Sequence, residues 1–233
     1  MQLSSDTISV LQNFASINPN VVLKPGQEIK TISEAKNILA EADIIEDFPQ
    51  EIGIYDLFEF LSVHSLVEAP HLDFESNAIV IQSTGGGCKL PNKQTVKYYS
   101  AEPSILTTTD KNIDMPDPEV TLNLTSDVIS RIKKAASVLG HTDISINGDS
   151  NGVSIKVFDP KDSSSNTYEF ELGENPSGNT FSFVLNISNL KLIDGDYDVF
   201  VSAKGNVFVS KWVNTVKPVR YFIALEQSST FNV

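Results

Sequence analysis

Apolar positions along the chain change period several times. Residues 3 to 17 set Leu3, Val10, Leu11, Phe14 and Ile17 on one side at helical spacing, with Ser4 or Ser5 placed to cap the first turn. Short apolar runs at 21–24, 27–32 and 37–44, punctuated by Pro25-Gly26, predict a β-meander after this helix. A further run at 51–54 leads into a second helix over 55–66, where Leu57, Phe58, Leu61 and Val63 crowd one side and Pro70 comes after the end. Strands at 71–75, 78–82 and 96–101 complete the half, with a turn at Gly85-Gly86-Gly87.

Between residues 102 and 119 the chain becomes proline-rich and acidic, with Ile105, Leu106, Ile113 and Met115 scattered through it. Residues 120 to 233 then repeat the first half in order. A strand at 120–124 precedes a helix capped by Thr125 or Ser126, with Val128, Ile129, Ile132, Ala135, Ala136 and Leu139 at core spacing and Gly140 as its stop. Strands at 143–147, 152–158, 167–172 and 180–186 come next, then a short helix over 186–193, then strands at 197–203, 206–213 and 219–226. The order helix, meander, helix, meander occurs twice. It predicts an α+β protein of two similar domains, 1–104 and 119–233, each with two helices on antiparallel sheets, joined by a connector at 105–118.

The charge balance narrows the function. Among 233 residues, 17 Lys and Arg stand against 30 Asp and Glu, a net charge of −13, which argues against general affinity for nucleic acid or anionic membrane. Contact with DNA must therefore be local. The single cysteine, Cys88, allows no internal disulfide, the opening residues lack the basic and apolar regions of a secretory signal, and no run reaches the roughly eighteen apolar residues of a membrane span. A soluble intracellular protein without membrane contact is expected.

Motifs of catalysis and metal binding fail on their surroundings. Gly148-Asp-Ser-Asn-Gly152 matches G-x-S-x-G, yet a hydrolase elbow needs a helix after its serine and Val153–Phe158 alternates as a strand, so Ser150 reads as the tip of a hairpin. Asp194-Gly-Asp-Tyr-Asp198 starts like a calcium loop, but Val199 takes the place of the required glycine and Gly205 that of the bidentate glutamate. His64, His71 and His141 are scattered, and Thr84-Gly-Gly-Gly87 lacks both the lysine and the helix of a phosphate loop. No cofactor, metal or catalytic residue is expected.

The distribution of charge over the helices is more informative. Opposite the apolar stripe of the first helix lie Ser5, Ser9, Gln12, Asn13 and Ser16, a neutral polar face that tolerates nearby phosphate. On the helix of the second half Lys134 points away from the core, Arg131 and Lys133 flank it, and Asp127 is the only acid across 120–140. Lys191 repeats the sign on the next helix. Such a basic face is either a solvated side or a contact for phosphates.

The opening Met1-Gln-Leu-Ser-Ser-Asp-Thr7, the stretch Leu11-Gln-Asn-Phe-Ala-Ser-Ile-Asn18, Ile54-Tyr-Asp-Leu57 and Tyr221-Phe-Ile-Ala-Leu-Glu226 together resemble the sliding clamps of T-even-like bacteriophages, across the whole chain. The resemblance implies the DNA clamp fold: a homotrimer of two-domain subunits closed head to tail into a ring, helices lining the hole. On that reading Arg131, Lys133, Lys134 and Lys191 face duplex DNA with Gln12 and Asn13, although family members usually carry cations on the first helix and this chain has none there. The strand at 96–101 meets that at 167–172 of the next subunit, so Tyr98, Tyr99, Tyr168 and Phe170 either anchor the seam or belong to each domain's own core. A cleft beside the connector takes partner peptides, with Ile105, Leu106, Ile113, Met115, Phe208 and Trp212 as candidates. Implied partners are the viral DNA polymerase, a clamp-loader ATPase complex and late-transcription factors, in the cytoplasm of the infected bacterium. The rival readings are an all-β virion or assembly protein and, less favoured, a hydrolase using Ser150.

Overall fold

A computed structural model describes residues 1–84, 93–113, 115–175, 177–203 and 208–232. Cys88 and the Gly85-Gly86-Gly87 turn lie outside the described residues. The chain forms two compact units, Met1–Lys111 and Asn112–Val233.

In the first unit, α1 (Ser5–Ile17) starts where the Ser4 side chain accepts from the Thr7 amide, and it buries Thr7, Val10, Leu11, Phe14, Ala15 and Ile17. Strand β1 (Val21–Leu23) pairs with β4 (Ile52–Ile54), and β2 (Gly26–Ile32) pairs antiparallel with β3 (Ile38–Phe48). β3 outruns its expected end because Glu46 and Phe48 still point inward at 8% and 1% exposure, so the alternation continues through an acidic stretch. α2 (Leu57–Leu66) buries Leu57, Phe60 and His64, which leaves Phe58 on the exposed side rather than in the expected core. Strands β5 (Pro70–Glu75), β6 (Ala78–Ser83) and β7 (Thr95–Tyr99) form an antiparallel meander with β7 at its edge. The connector begins as a 3-10 turn at Pro103–Ile105, and Leu106 then folds back over Gly53. A side chain at Gly53 would meet the Ala101 carbonyl oxygen at 2.5 Å and Leu106 Cδ1 at 2.9 Å, so this close approach requires glycine.

In the second unit, β8 (Val120–Leu124) precedes α3 (Ser126–Leu139). The strands β9 (Asp143–Asp149), β10 (Gly152–Phe158), β11 (Tyr168–Gly173) and β12 (Thr180–Asn186) come after it, joined later in the same sheet by β16 (Thr230–Asn232) in the order β11-β10-β9-β12-β16. β13 (Tyr197–Ser202), β14 (Val209–Asn214) and β15 (Val219–Ala224) run beside β8 in the order β15-β14-β13-β8. All these pairings are antiparallel.

The helix expected over 186–193 is a single 3-10 turn, Ile187–Asn189. Two core phenols engage the end of its continuation. The Tyr197 hydroxyl donates to the Ile193 carbonyl at 2.6 Å, and the Ile193 amide donates to the Tyr221 hydroxyl at 3.2 Å, so the backbone groups a helix would use are already taken. Burial pushes the Tyr197 phenol up to about 12 and the Tyr221 phenol higher still. Among the described residues the first unit has two α-helices and the second has one, where two similar domains with two helices each were expected.

Candidate nucleic-acid interface

α3 is fixed at both ends. The Val128 amide donates to Thr125 Oγ1 at 3.4 Å, the Ser126 amide donates to Asp196 Oδ1 at 2.7 Å, and Gly140 closes the helix in the left-handed region at φ 70°. Ile129, Ile132 and Ala136 bury one stripe; Asp127, Ser130, Arg131, Lys134, Ser137 and Val138 occupy the exposed side. Lys134 stands in solvent on that side. Arg131 leans along the helix, its Nε 2.7 Å from Asp127 Oδ2, and this hydrogen bond with the Asp127 charge and the nearby Tyr168 hydroxyl raises its already high pKa. Both partners are exposed, so the pair orients the guanidinium more than it stabilises the fold.

Lys133 is turned toward the flank of α3. Burial lowers its pKa, and the Asp194 carboxylate partly restores it. Lys191 is half-buried just after the Ile187–Asn189 turn rather than on a helix, since that helix does not form. The four cations thus differ in access, and Lys134 and Arg131 share the outward side. On α1, Gln12 is exposed and Asn13 half-exposed, and Asp6 is the only charge of the helix.

The two edge strands divide the expected seam aromatics. Tyr98 packs edge-on against Phe60 with centroids 5.3 Å apart, and its hydroxyl donates to the Asp56 carbonyl at 3.3 Å; burial raises its pKa. It serves its own unit's core. Tyr99 is 67% exposed beneath the Lys97 ammonium, and Tyr168 at 38% exposure packs on Phe170 with centroids 5.7 Å apart.

The connector residues also separate. Ile105 is 68% and Ile113 37% exposed, while Met115 and Phe208 are half-buried. Leu106 is buried over Gly53, and Trp212 is 1% exposed, edge-on to Tyr197 with its Nε1 donating to Ser210 Oγ at 2.9 Å. Leu106 and Trp212 are therefore core residues, which corrects their assignment to a peptide cleft. The missed signal for Trp212 was the parity of β14, whose buried side alternates Ser210, Trp212, Asn214.

Ser150 occupies the two-residue turn closed by the Asp149–Gly152 pair, with strand on both sides. A cavity of about 520 Å³ at that hairpin end is lined by no histidine or cysteine. Among the described residues no cluster of His, Cys, Asp and Glu could hold a metal ion, and no helix is long and apolar enough to cross a membrane.

Residues 121–227 match the family described as gp45 sliding clamp, C terminal, and residues 4–84 match DNA polymerase processivity factor. The sliding clamp of Vibrio phage KVP40 is 32% identical over 97% of this chain and 99% of its own length, and that of Enterobacteria phage T4 is 30% identical over 99% of each. Two solved structures share the fold at low identity. They are the PCNA2–PCNA3 complex of Sulfolobus tokodaii (TM-score 0.66, 11% identity, 96% of each chain) and A. fulgidus PCNA bound to the C-terminal region of FEN-1 (TM-score 0.67, 12% identity, 94% of each chain).

Proposed function

Since the chain belongs to the gp45 sliding-clamp family, we propose that three copies close head to tail around duplex DNA and tether the viral DNA polymerase for processive synthesis. It does no chemistry of its own. A separate ATPase opens and loads the ring in the cytoplasm of the infected bacterium, and late-transcription factors use the mounted ring as a platform. The observation that carries this reading is the placement of Arg131 and Lys134 on the outward side of one helix in a chain of net charge −13. A sequence-independent contact with few cations gives a shallow attraction, since each phosphate neutralised adds about 0.9 to the slope of affinity against salt. Retention then comes from enclosure, and mobility from the weak grip.

Closure uses the edge strands β7 and β11, and partner peptides dock on accessible apolar side chains, for which Ile105 and, in the second unit, Phe208 are candidates. Light scattering should give three times the subunit mass. After loading, the protein should stay on circular DNA through a salt titration and leave the same DNA once it is linearised, with Lys134→Ala flattening the salt dependence of any direct binding. Equal retention on both forms, or a monomeric mass, refutes the proposal.

A further inference from the structure

The chain has two Asn-Gly steps, Asn147-Gly148 and Asn151-Gly152, and both belong to the β9–β10 hairpin. Asparagine before glycine is a labile pair, because the glycine nitrogen can reach the side-chain carbonyl carbon with no side chain of its own in the way. In a folded protein the reaction needs a mobile asparagine side chain and a glycine amide released from its partners. The structure treats the two steps oppositely.

Asn147 lies inside β9, paired with Ser154 of β10 on one side and Ser182 of β12 on the other. Its Oδ1 accepts from the Ser182 hydroxyl at 2.8 Å and its Nδ2 donates to Ser145 Oγ at 3.0 Å, so both ends of the amide are held. Gly148 is buried, and a side chain there would overlap the Phe181 ring at 2.2 Å. Releasing that backbone requires three strands to part.

Asn151 is exposed at the tip. Its amide donates to Asp149 Oδ1 at 2.7 Å and its Nδ2 reaches Asp149 Oδ2 at 3.3 Å, both partners lying within the turn itself. The turn also fits its strands poorly. Among the described residues other than glycine only Lys36 and Ala69 have positive φ, so Ser150 and Asn151 do not form the left-handed turn that two-residue hairpins favour, and the alternative splays the strands. Gly152 absorbs the mismatch at φ 142°, where a side chain would meet the Gly173 carbonyl oxygen at 2.4 Å. The Asp149–Gly152 pair is the outermost rung of the ladder and the first to fray.

We infer that Asn151 is a self-modification site, where the chain deamidates without an enzyme while Asn147 is protected by the fold. Solvent base takes the Gly152 amide proton, the nitrogen bonds to Asn151 Cγ, the Cγ–Nδ2 bond breaks, and the departing nitrogen collects a proton from solvent and leaves as ammonia. Water then opens the succinimide ring at either carbonyl, leaving aspartate or iso-aspartate at position 151. Both products set a second carboxylate beside Asp149 and make a chain of net charge −13 more acidic. The iso form also carries the backbone through Cβ, which lengthens the two-residue turn and removes the Asp149–Gly152 rung while the pairing from Val153 inward survives.

The test is to hold the intact protein in mildly alkaline buffer, sample it over days and digest with trypsin. Lys134 and Lys156 bound a fragment, residues 135–156, that contains both asparagines, so fragmentation of one peptide by mass spectrometry compares them directly. Exchange of ammonia for water should appear at Asn151 at least about a hundredfold faster than at Asn147. Protein L-isoaspartyl methyltransferase should label the aged parent and fail to label Asn151→Ser. The same incubation in urea should bring the two rates together, which assigns the selectivity to the fold. Equal rates in the folded protein, an unmodified Asn151 where the urea sample reacts, or selectivity that persists in urea each overturn the inference.

Discussion

Glu46 ties the helix α1 to its sheet, and removing its charge should expose that tie as a pH-dependent stability. The carboxylate sits on β3 at 8% exposure and accepts from the Ser4 amide and from the hydroxyl of Thr7, which is itself 1% exposed. Burial pushes its pKa up, but the bonds from Thr7, Ser4 and its own backbone more than offset this and hold it below the ordinary value. Bonds to a charged acceptor are worth about 1.5–3 kcal/mol each, and Glu46→Gln keeps one acceptor while turning an amide toward a donor, so a loss of about 2 kcal/mol at pH 7 is expected. A depressed pKa means that the unfolded chain binds more protons. The stabilisation is therefore complete above the unfolded value near 4.3 and fades as pH falls through the lower folded value. Urea unfolding of parent and Glu46→Gln from pH 7 to pH 3, monitored by far-ultraviolet circular dichroism, should show a gap that is constant above about pH 5 and narrows below it. A gap that stays the same to pH 3, or none at neutral pH, refutes the argument.

Burial also lowers the pKa of His64, which is 6% exposed with Nε2 unpartnered among the described residues. Its contribution is present above about pH 6.5 and is lost as pH falls below that, so His64→Leu should raise the melting temperature at pH 5.5, by an amount corresponding to about 1 kcal/mol, and less at pH 8. Trp212→Phe should cost the second unit about 1–2 kcal/mol in chemical denaturation, through the lost bond to Ser210 and a smaller ring, yet leave polymerase stimulation intact once folded. Ile105→Ser should do the reverse, with stimulation reduced several-fold in a primer-extension assay and the mass by light scattering unchanged.

α1 and α3 were legible because each carries a single apolar stripe behind a capping Ser or Thr, and the turn at Ser150 was legible because the flanking residues alternate. α2 misled because it is apolar nearly all round: Leu57, Phe58, Phe60, Leu61 and Val63 do not define one face, and only the packing of Phe60 against Tyr98 decides that Phe58 points out. Residues 190–193 carry enough apolar side chains for a helix, but Tyr197 and Tyr221, distant in pattern from them, take their backbone groups. Of the candidate site, the basic residues of α3 were readable from charge alone. Which of them stays in solvent was not, because Asp194 and Asp127 reach Lys133 and Arg131 from positions that helical spacing reveals only for Asp127. Trp212 showed the opposite difficulty: a lone tryptophan between Lys211 and Val213 looks available until strand parity is known.

The N-terminal turn of α3 holds its carboxylates together: Asp127 on the helix, Asp196 at its first amide and Asp194 beside Lys133. Positive charge comes further along, at Arg131, Lys133 and Lys134, of which Arg131 and Lys134 are exposed. The helix therefore presents a gradient in potential that runs against its own dipole. A polyanion laid along it would be repelled from the opening turn and would settle over the later ones, so a strand passing the helix has a preferred seat and not merely a preferred side.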